Sequence, residues 1–140
     1  MSTVSRSIAL FKELYEAISC DDLDRAVAVY APDVHYVERC LGWDLHSRQQ
    51  VKEHFGPWFR FAALSAEMED AFATDDRVAS AWRFSGTIQE ELPGIWGPEA
   101  VGMTFSFSGV TLAVFTSDGL IGEAVEYWNR ADLLQQIGAR

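Results

Sequence analysis

A chain of 140 residues with a formal net charge of −10 has the length of one ordinary domain. Such acidity argues against nucleic acid or an anionic membrane as a partner, since both select basic patches. Hydrophobic residues make up 49% and aromatic residues 13%, enough for a folded core and more rings than a core demands, which suits an aromatic-lined pocket or a subunit interface.

The first element is an amphipathic helix over Ser5–Ser19, with Ile8, Phe11, Leu14, Tyr15 and Ile18 at spacings of three and four. Asp21 and Asp22 offer N-caps to a second helix, Leu23–Tyr30, which Pro32 should stop. Val34–Arg39 reads as a short strand with Val34, Tyr36 and Glu38 on one face. Leu41–His46 then reads as a loop with an exposed Trp43. Ser47 caps a third helix, Arg48–Phe61, which Pro57 is expected to kink or end near Phe55–Gly56.

From there the pattern changes to strands: Leu64–Thr74, Val78–Glu91, Val101–Thr116 and Leu120–Trp128. Asp75-Asp76, the Pro93–Pro98 segment around Trp96, and Ser117-Asp118-Gly119 form the connections. In the last strand Ala124, Glu126 and Trp128 share one face, and Glu123, Val125 and Tyr127 the other. A closing helix spans Asp132–Gly138. Helices followed by hairpin-linked strands imply an α+β fold, with a mainly antiparallel sheet curled over three helices, and no linker divides residues 1–140. Met1–Leu10 has no apolar run of leader length, and no segment approaches the ~20 apolar residues of a membrane helix. A cytoplasmic location is therefore expected, with Cys20 and Cys40 as free thiols.

This order carries Ala31-Pro32-Asp33-Val34 after the second helix and Asp75-Asp76-Arg77-Val78-Ala79 at a hairpin. It ends with Asp118-Gly119 leading to Glu126-Tyr127-Trp128 and Gln136-Ile137-Gly138. In these features the chain resembles the SnoaL-like branch of the NTF2-like superfamily. The resemblance implies a cone-shaped barrel of three N-terminal helices on a strongly curved sheet, and a homodimer formed through the open sheet face. It also implies an acid on the final strand facing the cone, here Glu126. SnoaL-like cyclases usually carry a histidine two residues earlier, where this chain has Ala124. Limonene-type epoxide hydrolases pair an arginine and an aspartate two residues apart on a middle strand, where this chain has Arg83 and Ser85. Polyether- and pyran-forming cyclases can carry an acid at the end of the first strand, where this chain has Glu38.

Glu126 is therefore the first candidate for general acid or base, because an apolar cone destabilises the charged carboxylate. Glu38 is the candidate second acid. Arg83, between Trp82 and Phe84, is expected to orient a carboxylate or stabilise an oxyanion, the alternative being an outward-facing arginine on the solvent side of the sheet. Tyr15, Tyr36, Trp58, Trp82 and Trp128 are candidate pocket walls. Each acid has a plainer alternative: Glu126 facing solvent or pairing with Arg130, and Glu38 in a rim salt bridge with Arg39 or Arg60. His35 should face away from Glu38, His46 should lie near the cone mouth, and His54 should lie on the helix surface or in helix packing. The three histidines form no metal triad with the acids at a recognisable spacing, so no metal and no cofactor is expected. The function expected is a cyclase or isomerase of secondary, polyketide-type (antibiotic-type) metabolism acting on a small apolar, oxygenated substrate. Epoxide hydrolysis or epoxide-opening cyclisation, and non-catalytic small-molecule binding, are the alternatives.

Overall fold

A computed structural model describes residues 2–138. Helix α1 (Thr3–Ser19) is capped by the Ser2 side chain, and α2 (Leu23–Val27) by Asp22. Arg25 forks onto Glu13 and reaches Glu16, tying α2 to α1. Strands β1 (Tyr30–Glu38) and β2 (Trp43–Leu45) form a hairpin, followed by α3 (Arg48–Phe61), β3 (Ala62–Ala73), β4 (Arg77–Ile88), β5 (Thr104–Phe115), β6 (Ile121–Trp128) and α4 (Arg130–Gln136). The six strands form one sheet in the order β2-β1-β6-β5-β4-β3. All pairings are antiparallel except β1 with β6. The architecture is the α+β, curled, mostly antiparallel arrangement expected.

The core lies between the helices and the concave sheet face. Phe11, Ala17 and Ile18 of α1 belong to one buried cluster with Tyr36, Ile121 and Ala124, and each large side chain so buried contributes about 1.5–3 kcal/mol. Among the described residues, no helix is long and apolar enough to cross a membrane. Cys20 and Cys40 are free thiols.

Several boundaries differ from expectation for identifiable reasons. The second helix stops at Val27, and Tyr30 already belongs to β1. Pro32 sits inside β1, in the stretch between Tyr30 and His35 where the pairing with β6 shifts register, so its missing N–H breaks no regular ladder. Helix α3 runs unbroken through Pro57. Its Phe55, Trp58 and Phe59 pack against the core, and this tertiary packing holds the turn despite the lost backbone donor. Residues expected as loop include β2, whose Trp43 is half-buried rather than exposed. Helix α4 begins two residues early because Asn129 caps it, and it ends before Gly138, whose φ of +68° suits a glycine just past a helix end.

Candidate active site

Strand register assembles the site. Glu38 of β1 is paired with Glu126 of β6, Glu126 with Thr111 of β5, and Thr111 with Ser80 of β4. Paired residues project to the same side of a sheet. The concave face therefore carries one polar row, Glu38–Glu126–Thr111–Ser80, across four strands in an otherwise apolar interior. Glu38, Thr111 and Ser80 are each buried.

Each member of the row has a partner, as buried polar groups require. The Trp82 indole N–H donates to Thr111 Oγ1 at 2.9 Å, and the Thr111 hydroxyl donates to Glu126 Oε2 at 2.7 Å. An indole N–H can only donate, so Thr111 spends its own proton on Glu126. The Tyr36 hydroxyl donates to Glu126 Oε1. The Tyr15 and Ser80 hydroxyls share a hydrogen bond of 2.7 Å. Gly109 makes the Trp82 contact possible: a Cβ there would stand 2.5 Å from the indole ring.

Burial pushes the Glu126 carboxyl up to about 7; the hydrogen bonds from Tyr36 and Thr111 oppose that rise, and the charge of Glu38 adds to it. The residue is half-buried by area, and it lines a cavity. Burial also raises the Glu38 carboxyl. Its two oxygens accept the Cys40 and Leu41 amides at 2.7 and 2.9 Å, which fastens the turn between β1 and β2. Burial keeps Tyr15 and Tyr36 protonated well beyond the ordinary phenol range.

The cavity, about 70 Å³, is lined by Glu126, Glu38, Tyr15, Tyr36, Trp58, Trp82 and Trp128, together with Leu14, Ile18, Leu41, Trp43, Phe55, Phe59, Leu64, Phe84 and Phe107. Trp128 stacks on Phe107 at 4.5 Å between centroids, and Trp58 meets Trp128 edge-on at 6.2 Å. All five aromatic candidates and both candidate acids thus border one space.

Arg83 does not. Trp82 and Phe84 point into the cone, so strand alternation turns Arg83 outward, where it contacts Glu69 at 3.4 Å and Ser106 Oγ at 3.2 Å. Among the described residues none of the three ion pairs considered for the acids forms. Arg130 donates to the Gly94 carbonyl, and Arg60 lies nearest Glu90. Sequence reasoning missed Thr111, although a threonine alternating with Phe105, Phe107 and Ala113 on the apolar face of a strand was a readable signal. His35 faces away from Glu38 as expected. His46 lies beside His35 and Asp44 rather than over the cone, and His54 packs edge-on against Trp43.

Helices over a curled, mostly antiparallel sheet, with an aromatic-lined cavity between them, define an NTF2-like fold. The SnoaL-like domain family matches residues 11–124, and the protein belongs to that family. Solved structures agree in fold. AclR, a proposed hydroxylase from Streptomyces galilaeus, is 26% identical over 96% of this chain and 97% of its own, with a TM-score of 0.79. A proposed polyketide cyclase from Xanthomonas campestris pv. campestris is 21% identical over 97% and 99%, with a TM-score of 0.81. IdmH, a proposed polyketide cyclase from Streptomyces antibioticus, is 22% identical over 95% and 99%, with a TM-score of 0.79. Among curated proteins none matches in sequence.

Proposed function

We propose that the protein catalyses ring closure or isomerisation of a small, apolar, oxygenated, polyketide-like molecule by proton transfer at Glu126. One observation carries this reading: a carboxyl poised at about 7 opens onto an aromatic cavity while Tyr36 and Thr111 fix both of its oxygens. A base of that strength is ionised in half its copies near neutrality and is strong enough to remove a proton activated by an adjacent carbonyl. The carbanion so formed attacks a second carbonyl of the same substrate to close a ring, or is reprotonated at another carbon to isomerise. Glu126 returns the proton to the new alkoxide or to that carbon. Tyr15, kept protonated by burial, supplies a donor for the developing oxyanion, the role expected of Arg83. Glu38, its oxygens occupied by backbone amides, acts on Glu126 through its charge and through the turn it fastens. The aromatic walls hold the chain in its reactive fold.

The test is Glu126→Gln, assayed with polyketide-like diketones for turnover and separately for binding. Lost turnover with retained binding supports the reading, and surviving turnover overturns it. Labelled oxygen entering the product from water would indicate epoxide opening instead. Labelled oxygen from dioxygen would indicate hydroxylation, the activity proposed for AclR. Binding without turnover in the unaltered protein would leave a binding module. Self-association through the outer sheet face belongs to the same proposal, supported by Val110, Leu112 and Tyr127, which stand exposed there.

A further inference from the structure

The structure assigns a transition-metal site to the outer side of the β1–β2 hairpin, built from His35, Asp44 and His46. The ligand-bearing atoms of these three side chains all lie within 4.8 Å of one another. His35 Nε2 is 2.7 Å and His46 Nε2 3.4 Å from the same oxygen, Asp44 Oδ1. The two imidazoles stack with centroids 4.7 Å apart and ring planes 11° apart, and the Nε2 atom of each lies near the same Asp44 oxygen. Metal–ligand bonds of about 2.0–2.2 Å set the ligands of one ion roughly 3–4 Å from each other. The three side chains are exposed, and rotation of the imidazoles out of their stack would bring both ring planes onto one ion.

The fold makes this cluster, and spacing along the chain hides it. Pairing of Val37 with Asp44 and of Tyr36 with Leu45 brings the His35 and His46 ends of the hairpin opposite each other. His35 has the opposite parity to Tyr36 and Glu38, so the cluster lies outside the cavity, on the reverse of the strand that carries them. Two imidazoles and one carboxylate select borderline divalent ions such as zinc, nickel or copper over calcium or magnesium. Three protein ligands leave coordination positions for water or another donor. Because the ligands come from both arms of the hairpin, a bound ion clips β2, an edge strand, to β1. Binding that favours the folded hairpin stabilises the protein by mass action.

The experiment titrates the full chain with zinc chloride by calorimetry, and follows thermal unfolding with and without chelator. The unaltered protein is expected to bind one zinc ion and to melt higher with it. His35→Gln, Asp44→Asn and His46→Gln should each weaken binding by roughly tenfold or more, since even residues that only support metal ligands cost that much. His54→Gln, which leaves the cluster intact, should bind as before. Circular dichroism establishes that each variant is folded, and nuclear magnetic resonance of the ring protons should place zinc-induced shifts at His35 and His46. No binding by the unaltered protein, or equal binding by folded His46→Gln, overturns the assignment. Calcium or magnesium competing equally with zinc overturns the selectivity.

Discussion

Glu38 and Glu126 are register partners on parallel neighbouring strands, so two carboxyls stand side by side on the concave sheet face. They are not equivalent. Glu38 spends its oxygens on backbone amides, whereas those of Glu126, among the described residues, accept from two hydroxyls. Burial raises both carboxyls, and their hydrogen-bond partners differ.

The titration sets a pH profile. With Glu126 as base, kcat/KM rises with pH through an inflection near 7. Tyr36→Phe removes a hydrogen bond that favours the ionised form, so its inflection moves upward. Glu38→Gln removes a neighbouring negative charge, so its inflection moves downward. Initial rates across pH check all three directions, and movement of the two variants the same way contradicts this account.

Stability carries the same signature with a defined sign. The folded Glu126 carboxyl lies near 7 against an ordinary 4.5, so the folded state holds its proton more tightly than the unfolded state. Its contribution is complete below the unfolded value and is lost as pH rises through 7. At about 1.4 kcal/mol per pH unit, the loss reaches about 3 kcal/mol. Denaturant midpoints should fall between pH 4.5 and 7 in the unaltered protein, and Glu126→Gln should flatten that part of the curve.

Arg83 tests the placement of the site. Its contacts with Glu67 and Glu69 lie on the outer face, and exposed ion pairs of this kind contribute about 0–1 kcal/mol. Arg83→Gln should leave kcat/KM within roughly twofold and barely alter stability. A large loss of activity would bring Arg83 back into the mechanism.

The contrast between Arg83 and Glu126 explains how much of the site could be read from the chain. Glu126, Tyr15, Tyr36 and the three tryptophans were legible because large rings and an inward acid alternate cleanly on helix and strand. For Arg83 the same rule decides between the two readings: Trp82 and Phe84 facing inward require the residue between them to face out. The Tyr36–Glu126 bond was beyond local reading, because a parallel pairing joins segments 90 positions apart. The longer strands were read to within a few residues, whereas β2 was read as loop and α2 lost its last turn to β1, since Tyr30 serves an apolar strand as well as an apolar helix.

The outer sheet face offers a separate test. Val110 and Leu112 on β5 and Tyr127 on β6 are exposed side by side on the convex side. An aspartate at Leu112 would place a charge at the centre of any interface formed there. Leu112→Asp is expected to shift the sedimentation mass from two chains to one without altering the folded spectrum. If both proteins sediment as one chain, self-association through this face is excluded.

Gly109 links the fold to the chemistry most directly. Any side chain at this position meets the Trp82 ring at 2.5 Å and the Tyr127 carbonyl at 2.7 Å. Backbone cannot move aside cheaply within a paired strand, so the indole must. Displacing it breaks the bond from Trp82 to Thr111 and frees the Thr111 hydroxyl to turn from Glu126. Gly109→Ala should therefore cost about 1–3 kcal/mol of stability. It should also raise the pH inflection, because Glu126 loses a donor that favours its ionised form. Thermal unfolding reads the first effect and the pH–rate profile the second. A destabilised variant with an unmoved inflection would show that Thr111 holds Glu126 without help from Trp82.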